Sequence, residues 1–166
     1  MASRVARSRH RVAMHSPLLQ SHRLRLARVS EPGRIYLITS VCWNRAPVFR
    51  DVRNARIASR VCHSPKTWPN ATCLAWVFMP DHWHGLIELH EGELSQAVAR
   101  FKASVSRNIK LKTGRKSPIW QRTFHDAALR SDEDVKAAAR YLVANPLRAG
   151  LVENVGDYPY WNATWL

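Results

Sequence analysis

The chain is short of acidic residues and of long apolar runs. Only 12 of its 166 residues are Asp or Glu, against 26 Lys and Arg, which leaves a formal net charge of +14. So large an excess indicates a polyanionic partner, chiefly nucleic acid, and says little about the fold. The longest apolar run has seven residues, from Cys73 to Met79, whereas a membrane-spanning helix needs about 20. We therefore expect no transmembrane segment.

Cysteine and the common catalytic motifs are also scarce. The three cysteines form no Cys-x-x-Cys pair, which argues against a disulfide framework or a zinc knuckle and favours a reducing compartment. The sequence has no Walker A, Gly-x-Gly-x-x-Gly, His-Glu-x-x-His or Gly-x-Ser-x-Gly motif. Their absence weakens the nucleotide hydrolase, dehydrogenase, zinc protease and esterase interpretations. With 46% hydrophobic residues, the chain is long enough for one folded domain.

The cations are concentrated in two blocks. Residues 1–30 contain seven arginines and no acid, a pattern typical of a flexible basic arm. Two alternatives stand beside it: an organellar transit peptide, or a translation start at Met14. A second block, residues 100–122, has eight cations, and no acid occurs between Glu93 and Asp126. Because a solvated face normally mixes both signs, this block indicates phosphate contact rather than simple exposure.

The hydrophobic pattern alternates between strands and helices over residues 31–166, which we interpret as one domain. Strands are predicted at residues 34–42, 71–79 and 84–89, with a short one at 124–129. Helices are predicted at residues 51–63, 93–111 and 131–144, the last starting at a Ser131 cap with Asp134 three residues on and ending because Pro146 disfavours helix before it. This order predicts an α+β sandwich of the split β-α-β type with a central antiparallel sheet.

His82-Trp83-His84 is the first candidate for chemistry. In a strand, residues i and i+2 point to the same face, so the two imidazoles would lie side by side and could bind one divalent metal. The alternative is a pair of ordinary histidines, since this short pattern is common. Two ligands do not complete a metal site, so a third must come from elsewhere.

The last predicted helix offers both a third ligand and a nucleophile. Tyr141 and Asn145 lie one turn apart on the same flank of that helix. Tyrosine can act as a covalent nucleophile, although with a pKa near 10 it needs activation, for example by a metal that polarises the target phosphate. From periodicity alone, Tyr141 also fits an amphipathic ring at the edge of the core.

Taken together, four segments resemble a known family. Residues 75–87, AWVFMPDHWHGLI, resemble its VxMPxHxH segment, and residues 119–130, IWQRTFHDAALR, resemble WQxxFHDxxIR. Residues 141–152, YLVANPLRAGLV, resemble YIxxNPVRAGLV, and residues 158–161, YPYW, resemble the closing YPWSS. The family is the single-tyrosine transposases of the IS200-like kind, and within it the REP-associated tyrosine transposases. The resemblance spans about residues 32–161.

The resemblance implies a fold, a metal and a reaction. The fold would be a ferredoxin-like domain with helices on one side of the sheet, followed by a C-terminal helix bearing the tyrosine. His82 and His84 would form the histidine–hydrophobe–histidine motif, Asn145 the third ligand and Tyr141 the nucleophile, with Mg²⁺ or Mn²⁺ as the metal. The protein would nick single-stranded DNA at palindromic hairpins through a 5′-phosphotyrosine intermediate, needing no nucleotide cofactor.

Partners and location follow from the same resemblance. We expect single-stranded or hairpin DNA as partner, no membrane, a monomer or homodimer, and a bacterial cytoplasmic protein associated with the nucleoid. Base-stacking aromatics and phosphate-binding cations suit such a partner. The residues predicted to contact DNA are Arg100, Lys102, Arg107, Lys110, Lys112, Arg115, Lys116, Trp120, Gln121, Arg122, Arg130 and Arg148. Trp83 departs from the family pattern, because it is bulkier than the usual middle hydrophobe.

Three alternatives remain open at this point. The chain could be a catalytically silent hairpin-binding protein retained by its host. It could be a metal-dependent nuclease that uses water instead of a tyrosine. It could also be a zinc protein that uses Cys62, His63 and Cys73.

Overall fold

A computed structural model describes residues 30–165 of the chain. Its strands are β1 (Ile35–Val41), β2 (Ala71–Met79), β3 (His82–Leu89), β4 (His125–Ala128) and β5 (Trp161–Ala163), and its helices are α1 (Val52–His63), α2 (Leu94–Thr113), α3 (Asp132–Val143) and α4 (Asn145–Arg148). The predicted basic arm lies outside the described residues except for Ser30. Between residues 30 and 165, no helix combines the length and the hydropathy that a membrane crossing requires.

The five strands form one antiparallel sheet in the order β4-β1-β3-β2-β5. Leaving β5 aside, the chain order β1-α1-β2-β3-α2-β4 with this strand order is the split β-α-β arrangement. The predicted α+β fold class is therefore confirmed. Three local predictions were incomplete: β3 begins at His82 rather than at residue 84, β5 was missed as a strand, and the short helix α4, which includes Pro146, was not predicted.

Each face of the sheet has its own hydrophobic core, because alternate side chains of a strand point to opposite faces. On one face, Ile38, Phe78 and Trp83 pack with residues of α1 and α2. On the other face, Leu86 packs with Leu142 and the rest of the buried side of α3. The two helices α1 and α2 thus share one side of the sheet, as predicted, and α3 covers the opposite side.

The helix starts are set by polar caps. Ser131 accepts from the Asp134 amide, and the Asp134 carboxylate accepts from the Ser131 amide. This capping box confirms the predicted start of α3, and it satisfies amide groups that have no partner inside the helix. The start of α2 is different, because its Leu94 amide donates to the hydroxyl of Ser30, a residue 64 positions earlier in the chain. The last residue of the predicted arm is therefore docked on the domain.

Trp83 is fully buried at the centre of the α1–α2 face. Its ring lies 4.4 Å from the ring of Phe101 and is nearly parallel to that of Trp68. The space for so large a ring comes from Gly85, the next residue on the same face of β3: a Cβ at Gly85 would overlap the six-membered ring of Trp83. Trp83 and Gly85 therefore form a matched pair, which explains how the strand tolerates a larger residue than the family pattern has.

Gly85→Ala should destabilise the fold by about 2 kcal/mol or more, because overpacking a closed core displaces side chains or backbone. Gly156→Ala is the matched control, since a Cβ there meets no atom within 4 Å. Urea unfolding of both variants measures the difference. Equal stabilities of the two variants would show that the Trp83 ring does not fill the space beside Gly85.

Candidate active site

His82 and His84 lie on the α3 face of the central strand β3, and Trp83 between them faces the other core. Their ring centroids are 4.8 Å apart, and the rings are nearly perpendicular. In the pairing of β3 with β1, His82 lies opposite Val41 and His84 lies opposite Thr39. The spacing of two residues in a strand thus brings the two imidazoles together, as the sequence predicted.

One ring nitrogen of each histidine has a defined partner. The Nδ1 atom of His84 is 2.8 Å from the hydroxyl of Thr39, and Nδ1 of His82 is 2.6 Å from the Asp81 carboxylate. Partners of this kind fix the ring orientation and leave Nε2 as the nitrogen that can bind a metal. The two imidazoles are therefore held in fixed orientations, a geometry that a metal ion could use.

Burial keeps His84 neutral. Loss of solvent, reinforced by the neighbouring His82, lowers the pKa of His84 to about 3, while the Ile38 carbonyl and Asp81 oppose this effect only in part. A neutral imidazole is the form that binds metal ions. At physiological pH, His84 therefore needs no deprotonation before it can act as a ligand.

Asp81 connects the histidine pair to the loop after β1. Burial alone would raise the pKa of this carboxyl group, but the hydrogen bond and charge of His82, together with Arg45, lower it below its usual value. The Arg45 guanidinium lies 3.1 Å from the second carboxylate oxygen of Asp81. Arg45, Asp81 and His82 thus form a chain of charged contacts that orients the His82 ring.

Tyr141 projects from α3 toward the same place. Its ring centroid is 6.4 Å from that of His84, and the residue is half-buried. The neighbouring Leu142 is fully buried and holds α3 on the sheet. Tyr141 lies at the edge of the buried stripe of α3, which includes Ala138 and Leu142. The histidine pair and the candidate nucleophile therefore meet on one face.

Asn145 and Arg148 both lie next to Tyr141. The Asn145 side-chain amide donates to the Tyr141 carbonyl at 3.2 Å, so it is held one turn beyond the tyrosine. The Arg148 guanidinium carbon is 4.6 Å from the centroid of the Tyr141 ring, within the range of a cation–π contact. Since α4 begins directly after α3, it places an amide and a cation beside the tyrosine.

Within residues 30–165, no Asp, Glu or Cys side chain joins His82 and His84 as a possible metal ligand. No group of three His, Cys, Asp or Glu side chains that could hold a metal converges within that range. In the zinc alternative, the Cys62 and Cys73 sulfurs are 3.8 Å apart, but the His63 ring faces Asn162. Among residues 30–165, a third protein ligand for the histidine pair would be of another type, such as the amide of Asn145.

Half of the residues predicted to bind DNA line one cavity. This cavity of about 580 Å³ lies between α2 and residues 116–124. Its lining includes Lys102, Lys110, Lys116, Trp120, Gln121 and Arg122. The remaining predicted residues lie elsewhere: Arg100, Arg107 and Lys112 on other exposed positions of α2, Arg115 half-buried after α2, Arg130 exposed before α3, and Arg148 beside Tyr141.

Two residues of the cavity also have structural contacts that the sequence did not reveal. The Lys102 ammonium donates to the carbonyls of Gln121, Arg122 and Thr123, and burial lowers its pKa. Trp120 is only 8% exposed, and its indole donates to the Lys102 carbonyl. Lys102 is thus engaged by the protein itself, and most of the Trp120 ring is packed in the core rather than presented for stacking.

Sequence reasoning missed a basic stripe on α1. Arg53, Arg56 and Arg60 are exposed on this helix, and their spacing of three and four residues places them on one side of it. The helix itself was predicted, so the signal was available in the periodicity. Together with Arg100 and Arg107 of α2, these arginines lie on the side of the sheet opposite Tyr141.

Comparison with known proteins supports the same family as the motifs. The profile of the family described as Transposase IS200 like matches residues 33–145, which include the histidine pair, Tyr141 and Asn145. The chain belongs to the IS200-like transposase family. This result confirms the resemblance found in the sequence motifs.

Individual relatives of this transposase come from two bacteria. The chain is 30% identical over 139 residues to a Haemophilus influenzae protein assigned as a REP-associated tyrosine transposase, a match that covers 77% of this chain and 78% of the relative. It is 32% identical over 88 residues to the REP-associated tyrosine transposase of Escherichia coli, covering 52% of this chain and 50% of that protein.

Two solved structures share the transposase fold. One is a REP-associated tyrosine transposase bound to a REP hairpin, with a TM-score of 0.68, 24% identity and coverage of 82% of this chain and 80% of that chain. The other, assigned as a transposase of Deinococcus radiodurans, has a TM-score of 0.51, 17% identity and coverage of 74% and 97%. At these identities, the likeness establishes the fold.

Lys102→Met should loosen the loop that closes the cavity, because the ammonium joins three carbonyls to α2. We expect a loss of about 1–2 kcal/mol in unfolding free energy and faster amide hydrogen exchange at residues 119–124. Lys110→Met is the matched control, since Lys110 lines the same cavity but is exposed. If both variants exchange alike, Lys102 does not hold this loop.

Proposed function

We propose that this protein nicks and rejoins single-stranded DNA at palindromic hairpins, with Tyr141 as the nucleophile. The observation that carries the proposal is the meeting of His82, His84 and Tyr141 on one face of the sheet, with 6.4 Å between the His84 and Tyr141 rings. Family membership supports a transposase, and the solved structural neighbour is bound to a REP hairpin.

The residues at this face fit a divalent metal ion. His82 and His84 present oriented imidazoles, and Asn145 supplies an amide one turn from Tyr141. Because imidazole is a softer ligand than carboxylate, this set suits Mn²⁺ better than Mg²⁺, although both accept an amide oxygen and water. When bound, the metal would supply Lewis-acid polarisation of the target phosphate.

Tyr141 would carry the covalent step. Its hydroxyl oxygen forms a bond to the phosphorus while the bond from phosphorus to the 3′ oxygen breaks. The phenolic proton passes to solvent, and the released 3′ oxygen takes up a proton to become a hydroxyl. The new link joins Tyr141 to the 5′ phosphate and preserves the energy of the phosphodiester, so the reverse attack by a 3′-hydroxyl needs no nucleotide cofactor.

Arg148 and the cavity would position the DNA around this step. The Arg148 guanidinium beside the Tyr141 ring is placed to contact a phosphate oxygen, and guanidinium groups suit phosphate well. The cavity between α2 and residues 116–124 has cations at Lys110, Lys116 and Arg122. These exposed cations are suited to hold a phosphate backbone on the α2 side of the sheet.

The covalent link is the decisive test. A labelled single-stranded palindrome from the flanks of the gene is incubated with the protein and Mn²⁺ or Mg²⁺, then separated on a denaturing gel. We expect a slowly migrating protein–DNA adduct that requires metal and is absent in Tyr141→Phe. Tyr160→Phe is the matched control and should keep the adduct, since Tyr160 lies beside Tyr158 after α4 and outside the proposed site.

Other outcomes of this experiment contradict the proposal in different ways. Cleavage without an adduct would mean that water is the nucleophile. Hairpin binding with neither cleavage nor adduct would indicate a DNA-binding protein that has lost catalysis. An adduct that persists in Tyr141→Phe would place the nucleophile on another residue.

Thr39→Val should weaken metal binding about 10- to 100-fold, the usual cost of losing a hydrogen bond that orients a ligating histidine. The substitution preserves shape and removes only the hydroxyl that contacts Nδ1 of His84. Mn²⁺ titration followed by electron paramagnetic resonance measures the affinity. Thr164→Val is the control, because its hydroxyl bonds to the Leu74 carbonyl elsewhere on the protein. Unchanged Mn²⁺ affinity in Thr39→Val would remove His84 from the site.

A further inference from the structure

Trp43 lies just beyond the end of β1, next to the sheet position that faces His82. It lies two residues beyond Val41, the partner of His82 in the sheet, which puts its Cα within about 7 Å of the Cα of Val41. On its other side, the Trp43 amide donates to the carbonyl of Ile119 at 2.9 Å, and Ile119 lines the cavity. Trp43 is thus joined through the backbone both to the strand beside the histidine pair and to the segment that lines the cavity.

The Trp43 ring is not used by the core. It is 46% exposed, and no aromatic pair formed by residues 30–165 includes it. Trp68, Trp76, Trp83 and Trp120 are all buried. Within residues 30–165, Trp165 is the other tryptophan exposed to this degree, at 54%. The exposed indole face next to the proposed site is therefore available for stacking with a ligand.

The backbone after Trp43 is strained. Asn44 and Arg45 have φ angles of 51° and 50°, and consecutive non-glycine residues in the left-handed region are unfavourable. Such strain persists where surrounding contacts hold it and is concentrated at functional sites. Here the turn is held by the Arg45–Asp81 ion pair, and Asp81 in turn contacts His82. The position of Trp43 is therefore tied to the histidine pair.

We propose that Trp43 is a stacking platform for one base of the single strand that enters the site, a proposal that rests on the proposed function. An indole face stacks on any base, and the Arg45 side chain next to it is 68% exposed, with donors left for a phosphate. A base held at Trp43 fixes the distance along the strand to Tyr141. Trp43 would thus help to set which phosphate is cut.

The experiment compares Trp43→Ala with Trp165→Ala as matched control. Trp165 follows the Thr164 contact with Leu74, at the opposite end of β2 from the Met79–His82 pair. The probes are a DNA hairpin with a short single-stranded extension and the same hairpin without it. Trp43→Ala should weaken binding of the extended hairpin about tenfold and leave the blunt hairpin unaffected. Trp165→Ala should change neither, and thermal unfolding confirms that both variants fold.

Single abasic sites in the extension then identify the base. One abasic position should cost the wild-type protein about tenfold in affinity and cost Trp43→Ala nothing further, while Trp43→Phe should recover part of the binding. The proposal is overturned if an abasic position weakens binding by the same factor in wild type and Trp43→Ala. It is also overturned if Trp43→Ala loses the same affinity for both hairpins.

The same DNA separates this proposal from the proposed function. If wild-type protein forms the Tyr141 adduct but no abasic position depends on Trp43, the stacking platform is wrong and the nicking activity stands. If the abasic position depends on Trp43 but no adduct forms, the platform belongs to a DNA-binding protein and the nicking proposal is wrong. Absence of any hairpin binding by the wild type would overturn both.

Discussion

The two-residue period of β3 is the constraint on which the site depends. Because adjacent side chains of a strand face opposite ways, Trp83 enters the core under α1 and α2, while His82 and His84 face α3. A slip of one residue in the pairing of β3 with β1 would turn the histidines into the core under α1 and α2 and the indole toward α3. The large buried area of Trp83 opposes that slip, so the same residue that fills the core also fixes the direction of the histidines.

The rest of the site is built by elements from distant parts of the chain. β1 brings Thr39 to His84, the loop after β1 brings Arg45 to Asp81, and α3 brings Tyr141. The Thr39 and Arg45 contacts orient His84 and Asp81, and α3 adds the tyrosine. The arrangement is pre-organised, since the two ring nitrogens and the tyrosine are held before any ligand arrives.

Charge is distributed unequally between the two sides of the sheet. The arginines of α1 and the outer positions of α2 lie on one side, where no acid occurs between the start and end of either helix. The acids Asp132, Glu133 and Asp134 are at the start of α3, where they suit the helix dipole. This asymmetry gives the protein a positive side.

Local patterns in the sequence predicted most elements, and contacts between distant residues account for what they missed. The continuous apolar run from Cys73 to Met79 predicted β2, and the Ser131–Asp134 pair predicted the start of α3. The spacing of His82 and His84 and of Tyr141 and Asn145 gave each half of the candidate site. That the halves meet depends on the packing of α3 against the sheet, which local periodicity does not specify; the family resemblance supplied that expectation.

The features that the sequence did not predict also depend on contacts between distant residues. β5 has three residues, too few for alternation to register, and it forms only because β2 offers an open edge. Lys102 falls in a run of cations and so indicated DNA contact, whereas its three carbonyl partners lie about 20 positions later in the chain. Trp43 follows a predicted strand, and nothing local distinguishes an exposed indole from a buried one.

The central claim is that the histidine pair binds a metal ion beside Tyr141. The most direct test replaces Tyr141 with 3-fluorotyrosine and follows its fluorine resonance during Mn²⁺ addition. Our account predicts strong paramagnetic broadening of this resonance in the otherwise unchanged protein and no broadening when His82 and His84 are both replaced by alanine. A resonance that stays sharp in the protein with both histidines, or that broadens equally without them, would contradict it.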